Sequence, residues 1–180
     1  MCVAYVQYGT MRFTYALHMM QAFDVSVGVF VRGLVQLKEV LRKGEAHGAA
    51  LTCALADGMQ DLAAQVHWAS EGSRLALERV LGRSQGAPGP ASCPSATRYD
   101  ELHASIDSVV AYLQSLDPTD IEASLERSVE LPVRGGPKTY RGDRFLLEFA
   151  LPNFFFHLTI AYAILRKEGV QLEKSDFMGR

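Results

Sequence analysis

The side chains best placed to do chemistry lie in one short stretch, Leu151-Pro152-Asn153-Phe154-Phe155-Phe156-His157, where Asn153 and His157 stand four residues apart. On a helix that spacing is one turn, so the amide and the imidazole share a face, here with the apolar Ile160 and Ile164. A second histidine, His67, sits beside Val66 on another helical stretch, with Gln60, Glu71 and Arg74 continuing its stripe toward a cleft or toward water. Histidines on two helices of a bundle can meet at a metal, but a catalytic zinc takes three protein ligands and an open position. His67, Asn153 and His157 offer two imidazoles and one amide, so they form a candidate site for a divalent metal such as zinc or nickel in a degenerate state. Neutral asparagine is a poor substitute for imidazole, and a buried polar pair needs only hydrogen-bond partners to be tolerated. The expectation is therefore no cofactor, with Asn153 and His157 bonded to each other inside the protein. His18, His47 and His103 have no ligand spacing to one another.

Stronger signatures of catalysis are absent. The chain has no nucleophile elbow, no phosphate-binding glycine loop, no HExxH helix and no paired-cysteine zinc pattern. Cys2, Cys53 and Cys93 are odd in number and far apart, which suits a reducing compartment. Arg141-Gly142-Asp143 reads as a glycine ending a strand and an aspartate capping a helix. Arg134, Lys138, Arg141 and Arg144 gather positive charge nearby, which could hold an anion at the start of the last helix but reads most simply as a solvated edge. With 18 basic and 20 acidic side chains the net charge is -2, so no global field attracts a nucleic acid.

The elements that must position these residues can be read from periodicity. A first helix is expected over residues 24–43, with Val25, Val29, Leu34, Leu37 and Leu41 on one stripe and Gly44 as its stop. Asp57 and Gln60 resemble a capping box opening a second helix, whose seam runs through Met59, Leu62, Val66, Ala69, Ser73, Ala76 and Val80 to Gly82. Residues 83–96 are rich in Gly, Pro, Ser and Ala and lack periodicity, so a flexible loop is expected there. Thr97 and Asp100 suggest a cap for a third helix through Leu102, Ile106, Val109 and Leu113, closed by Pro118. Thr119 to Glu122 opens a short helical turn. The alternation at Val129, Leu131 and Val133, with Gly135-Gly136-Pro137 and a return strand, then predicts a small β-hairpin. A last helix should run from about Asp143 to Gly169, kinked or broken by Pro152.

An all-α antiparallel four-helix bundle with a small β-hairpin before the last helix is the cheapest way to bury four such stripes. The expected division is an appendage over residues 1–22 and a single domain over residues 23–180. Phe145 to Leu165 is long enough to span a bilayer, but Glu148, Pro152, Asn153 and His157 interrupt it, so a buried bundle helix is the preferred reading. The N-terminus lacks the basic-then-apolar order of a secretory signal, and a cytoplasmic location without membrane association is expected.

The last helix also carries a family resemblance. Phe149-Ala150-Leu151-Pro152-Asn153-Phe154-Phe155-Phe156-His157 and Ala161-Tyr162-Ala163-Ile164-Leu165-Arg166, followed by Gly169-Val170 and Asp176-Phe177, resemble the signature of an uncharacterised family of bacterial and fungal proteins. Its members carry a domain of unknown function and belong with the DinB/YfiT-like helical bundles. The likeness extends through Val29 to Leu34, Ala64-Gln65-Val66 and the Gly142 to Leu146 segment, covering roughly Phe23 to Gly179. It implies a DinB-like bundle. It also implies a metal position built from one second-helix histidine and a pair spaced by four on the last helix. Here His157 resembles the second of that pair, Asn153 falls where the first would be, and His67 lies near the second-helix place. In some DinB-like proteins this position serves thiol transfer or isomerisation of small acids, activities that depend on the intact triad.

The functional expectation is a binding or structural module with a degenerate metal site, with helix faces that could form a homodimer and a small-molecule ligand of unknown identity. The alternatives are a metal-dependent or thiol-dependent transferase or hydrolase using His67, Asn153 and His157, and a ligand carrier whose pocket is formed by Phe145, Phe149, Phe154, Phe156 and Tyr162.

Overall fold

The computed structural model describes residues 21–83, 96, 98–133 and 135–180, together with the backbone of two short strands near the N-terminus. Those strands, β1 (Val6–Tyr8) and β2 (Met11–Phe13), pair antiparallel. The expected flexible loop over 83–96 lies, but for Arg83 and Ala96, outside the described residues, and so do Cys2, Cys93, Thr97, Arg134 and His18.

Four long helices form the body: α2 (Val27–His47), α3 (Leu62–Val80), α4 (Tyr99–Gln114) and α7 (Leu151–Lys167). Shorter pieces are α1 (Ala22–Val25), α5 (Pro118–Ser124), α6 (Gly142–Phe145) and α8 (Lys174–Met178). The expected hairpin is present as β3 (Ser128–Leu131) and β4 (Lys138–Arg141), with Val129 opposite Tyr140.

Cross-helix contacts fix the directions. Phe154 and Leu158 lie against Gly33, and Leu165 lies against Gly44, so α2 and α7 run the same way. Lys38 meets Asp107 while Glu45 meets His103, so α4 runs against α2. Gln65 meets His157 and Gly72 lies near Asn153, so α3 runs against α7. Two helices therefore point up and two down, and the consecutive α3 and α4 point the same way.

The core between the helices is continuous, with Phe30, Leu34, Leu37, Leu41, Leu62, Leu77, Ile106, Leu113, Phe154 and Ile164 fully buried. The edge-to-face pair of Phe30 and Phe154, with ring centroids 5.0 Å apart, locks α2 to α7. Gly142–Lys167 is long and apolar enough by composition to cross a membrane, with a mean hydropathy of 1.3. In this fold about 33% of its apolar window is buried: Phe145, Phe154, Ala161, Ile164 and Leu165 face the bundle core, while Leu147 and Phe156 are exposed.

Several boundaries differ from the sequence reading, each for a physical reason. The first long helix runs through Gly44 and stops at Gly48, whose φ of 82° is the left-handed cap. Gly44 serves packing instead: a Cβ there would come 2.6 Å from Leu165 Cδ2. The second helix is capped by Asp61, whose side chain accepts from Ala64 N at 2.9 Å, rather than by Asp57 and Gln60. Arg98 precedes the third helix, where Glu101 reaches back to the Arg98 amide at 3.3 Å. Pro118 opens α5 instead of closing α4, behind the N-cap Asp117 that accepts from Thr119 N at 2.8 Å. In the last helix the break expected at Pro152 takes the form of a π-helical turn, Leu146–Ala150, just before the proline. Widening the turn relieves the clash of the proline ring with the carbonyl one turn back.

Candidate functional site

The site is a cleft of about 320 Å³ between α3, α7 and the β3 end of the hairpin. From α3 it takes Trp68, Gly72, Leu75, Ala76 and Arg79, a set at helical spacing along one edge. From the last helix it takes Phe149, Ala150, Asn153 and His157, and the hairpin adds Leu131 and Pro132. Gly72 keeps the floor open, because even an added Cβ would lie 3.8 Å from Asn153 Nδ2.

One hydrogen-bond relay sets the chemical state of the site. Gln65 is only 2% exposed, and its Nε2 donates to the Gln60 carbonyl at 3.2 Å. This orients the amide so that Oε1 lies 2.8 Å from His157 Nδ1. A carboxamide oxygen can only accept, so His157 Nδ1 carries the proton and Nε2 keeps its lone pair. Burial pushes the His157 pKa down from 6.5 to about 4, and the ring is therefore neutral near pH 7. The cleft thus presents a hydrogen-bond acceptor at His157 and, one turn away, the two-sided amide of Asn153.

His67 does not line this cleft. Two residues beyond Gln65, it is turned about 200° around the α3 axis. Its ring lies edge-on to Trp68 with centroids 5.2 Å apart, on the stripe where Arg74 bridges Glu71 and Glu78. Burial lowers its pKa, opposed by the nearby Glu71. The structure therefore brings Asn153 and His157 to one cleft and leaves His67 on another face. It also gives His157 a different partner from the one expected: Gln65, not Asn153.

The donor chemistry does not fit a catalytic zinc or nickel. Among the described residues one imidazole lines the cleft, its polar neighbours Gln60 and Asn153 are neutral amides, and the other ionisable lining group is the cation Arg79. Among the described residues, no three His, Cys, Asp or Glu side chains come together in a way that could hold a metal ion.

The other candidates fall elsewhere. Phe145 and Phe154 are fully buried core, Phe156 is 53% exposed and Tyr162 packs on Phe177, so of the five aromatic residues expected to share one pocket only Phe149 lines the cleft. Asp143 is not an N-cap; its carboxylate accepts from Arg141 Nε at 2.7 Å and from Arg144 N at 2.6 Å. Arg141 also meets Glu126, and Arg144 meets Glu148 at 3.5 Å, so Arg141 and Arg144 of this basic edge are each paired with a carboxylate. Cys53 is a half-buried free thiol, its pKa raised by burial and by Glu168.

Sequence reasoning missed Gln65, Trp68, Gly72 and Arg79. The stripe 65, 68, 72, 76, 79 recurs at helical spacing, and its mixture of one amide, one indole, one glycine and one guanidinium was the available signal.

Comparison with known proteins places this arrangement in a class. A DinB family member protein from Shewanella denitrificans, known from a crystal structure, matches with a TM-score of 0.77 and 31% sequence identity over 88% of this chain and 92% of that one. The fold is accordingly that of a DinB-like helical bundle. Residues 22–178 match the family model described as Domain of unknown function (DUF1993), and the chain belongs to that family. No curated protein matches the sequence.

Proposed function

We propose that this protein is a binding module: a DinB-like bundle in which the degenerate metal position has become part of a cleft for a small organic molecule. The observation that carries the reading is the Gln60–Gln65–His157 relay, which fixes a neutral imidazole with its acceptor nitrogen beside Asn153 at a cleft walled by Trp68, Leu75 and Phe149. Preorganised polar groups set among apolar walls are the usual composition of a small-molecule site, and a volume of about 320 Å³ is at the small end of that class. Such a site fixes orientation through His157 and Asn153 and gains affinity from the apolar surface it covers.

Trp68 is the chain's only tryptophan, so its emission reports directly on the cleft. A fragment library screened by tryptophan fluorescence should yield compounds that shift the emission of the parent protein. The same compounds should fail with Gly72→Leu, which fills the floor. Hits that bind Gly72→Leu equally well, or a screen with no hit, would refute the proposal.

A further inference from the structure

Interactions already made inside the protein decide which groups of the cleft are left for an occupant. Arg79 has an interaction partner within the chain and the Glu78 carboxylate close by, so its charge is not left for a ligand. Gln65 is fully used between the Gln60 carbonyl and His157 Nδ1. What remains is uncharged. His157 Nε2 keeps a lone pair, because Nδ1 holds the single N–H proton of a ring that is neutral near pH 7. Asn153, half-buried one turn earlier on α7, makes no side-chain hydrogen bond among the described residues, so its Nδ2 donor and Oδ1 acceptor are both unused. Polar groups taken partly out of water in this way are costly until something pairs with them.

These groups select against charge of either sign. A carboxylate would bring only lone pairs to His157 Nε2, and two acceptors facing each other repel. A cation would find no carboxylate among the lining residues. The occupant therefore brings an uncharged donor to His157 and a carbonyl to Asn153 Nδ2. The two residues stand one turn apart on a single helix, about 5–6 Å between Cβ atoms, so their polar groups lie side by side rather than converging on one atom. A cyclic amide is the complement, since ring closure holds its N–H and C=O on the same edge. An open-chain secondary amide is trans and points them in opposite directions. A lone hydroxyl would have to serve both groups from one oxygen. Trp68, Leu75 and Phe149 supply apolar walls for the body of such a ring, and the missing side chain of Gly72 leaves the floor open beneath Asn153.

We infer that the cleft takes a small, uncharged cyclic amide, its N–H donated to His157 Nε2, its carbonyl accepting from Asn153 Nδ2 and its apolar body against Trp68, Leu75 and Phe149. The inference rests on the proposed binding function and narrows it to a ligand class.

The probes are oxindole, a planar lactam, and N-methyloxindole, which keeps the shape and the carbonyl but has no N–H. Both are titrated into the parent protein by calorimetry, with phenylacetate and benzamidine as charged probes of similar size. Oxindole should bind roughly tenfold more tightly than N-methyloxindole, the ratio expected when one hydrogen bond is lost and an acceptor is left unpaired. It should also bind more tightly than either charged probe. In nitrogen NMR, oxindole should shift the His157 Nε2 resonance as the hydrogen bond forms, and N-methyloxindole should leave it nearly unchanged. Asn153→Leu removes a side chain that has no partner in the protein, so the fold should persist while both lactams bind more weakly. Equal affinity for the two lactams, a charged probe that binds most tightly, or unchanged lactam affinity in Asn153→Leu would overturn the cyclic-amide assignment and leave the cleft reading standing. Binding of no probe would also overturn the assignment, and the cleft reading falls with it only if the fragment screen is without hits as well. The comparison of the two lactams needs no variant, so a failure of Asn153→Leu to fold does not blunt it.

Discussion

Acidification should test the state assigned to His157 most directly. The native ring has its pKa pushed down to about 4, whereas the unfolded chain would show the ordinary value of 6.5. Between those values the unfolded state binds more protons than the native state, so stability falls as pH drops through this window and is fully recovered above 6.5. A shift of that size corresponds to about 3 kcal/mol if none of it is screened. The ring is partly open to the cleft, and screening there reduces the expected loss to roughly 1–2 kcal/mol. The measurement is urea denaturation of the parent and of His157→Gln at a series of pH values from neutral to about 4.5. Glutamine can still donate to Gln65 but does not titrate, and carboxylates and the other histidines are common to both proteins. The stability difference between the two should therefore change against the parent by roughly 1–2 kcal/mol on acidification. Parallel curves, or a difference that moves in the parent's favour as pH falls, would refute the buried neutral imidazole.

Other outcomes follow from the packing and the donor chemistry. Gly33→Ala places a Cβ 2.6 Å from the ring of the buried Phe154, and it should cost about 1–3 kcal/mol in urea denaturation; a neutral result would show that α2 and α7 are farther apart. Gln65→Leu leaves the Gln60 carbonyl and His157 Nδ1 without their partner, and a loss of about 1–3 kcal/mol is expected, with a change in the His157 imidazole nitrogen shifts by NMR as the tautomer is released. Leu62→Asp should unfold the protein, since the site is completely buried, while Glu78→Ala, which removes one of two carboxylates on Arg74, should cost less than about 0.5 kcal/mol by the same assay. Zinc or nickel should leave the melting temperature unchanged, and a metal-dependent rise that disappears in both His67→Ala and His157→Ala would show that these donors hold a metal after all.

The helices were legible because each stripe obeys a period that burial alone imposes, as with Leu34, Leu37 and Leu41 or Ile106, Val109 and Leu113. Their ends were less so. A glycine can stop a helix through its left-handed conformation or admit a neighbouring helix through its missing side chain, and the two uses look identical in sequence. Gly48 does the first and Gly44 the second, and only the position of Leu165 on another helix distinguishes them. Likewise either Asp57 or Asp61 could cap α3, and Asp61 is the one that joins the Ala54–Asp61 bridge in the preceding turn.

The site was legible on one helix only. Asn153 and His157 stand out because an amide and an imidazole one turn apart interrupt an apolar run, and both do line the cleft. For their counterpart on α3, metal-binding residue types favour His67 over Gln65. Helical geometry decides otherwise: with Gln65 facing α7, a residue two positions later cannot face it too. Glutamine is an inconspicuous choice, but it fixes the hydrogen-bond roles without itself titrating. Its amide has a donor end and an acceptor end, so the Gln60 carbonyl at one end determines which ring nitrogen of His157 is protonated at the other. The consequence is a His157 whose other ring nitrogen is an acceptor near neutral pH. A fixed acceptor one turn from the two-sided amide of Asn153 suits the orientation of a small organic molecule better than it suits a metal, which would demand lone pairs from every side.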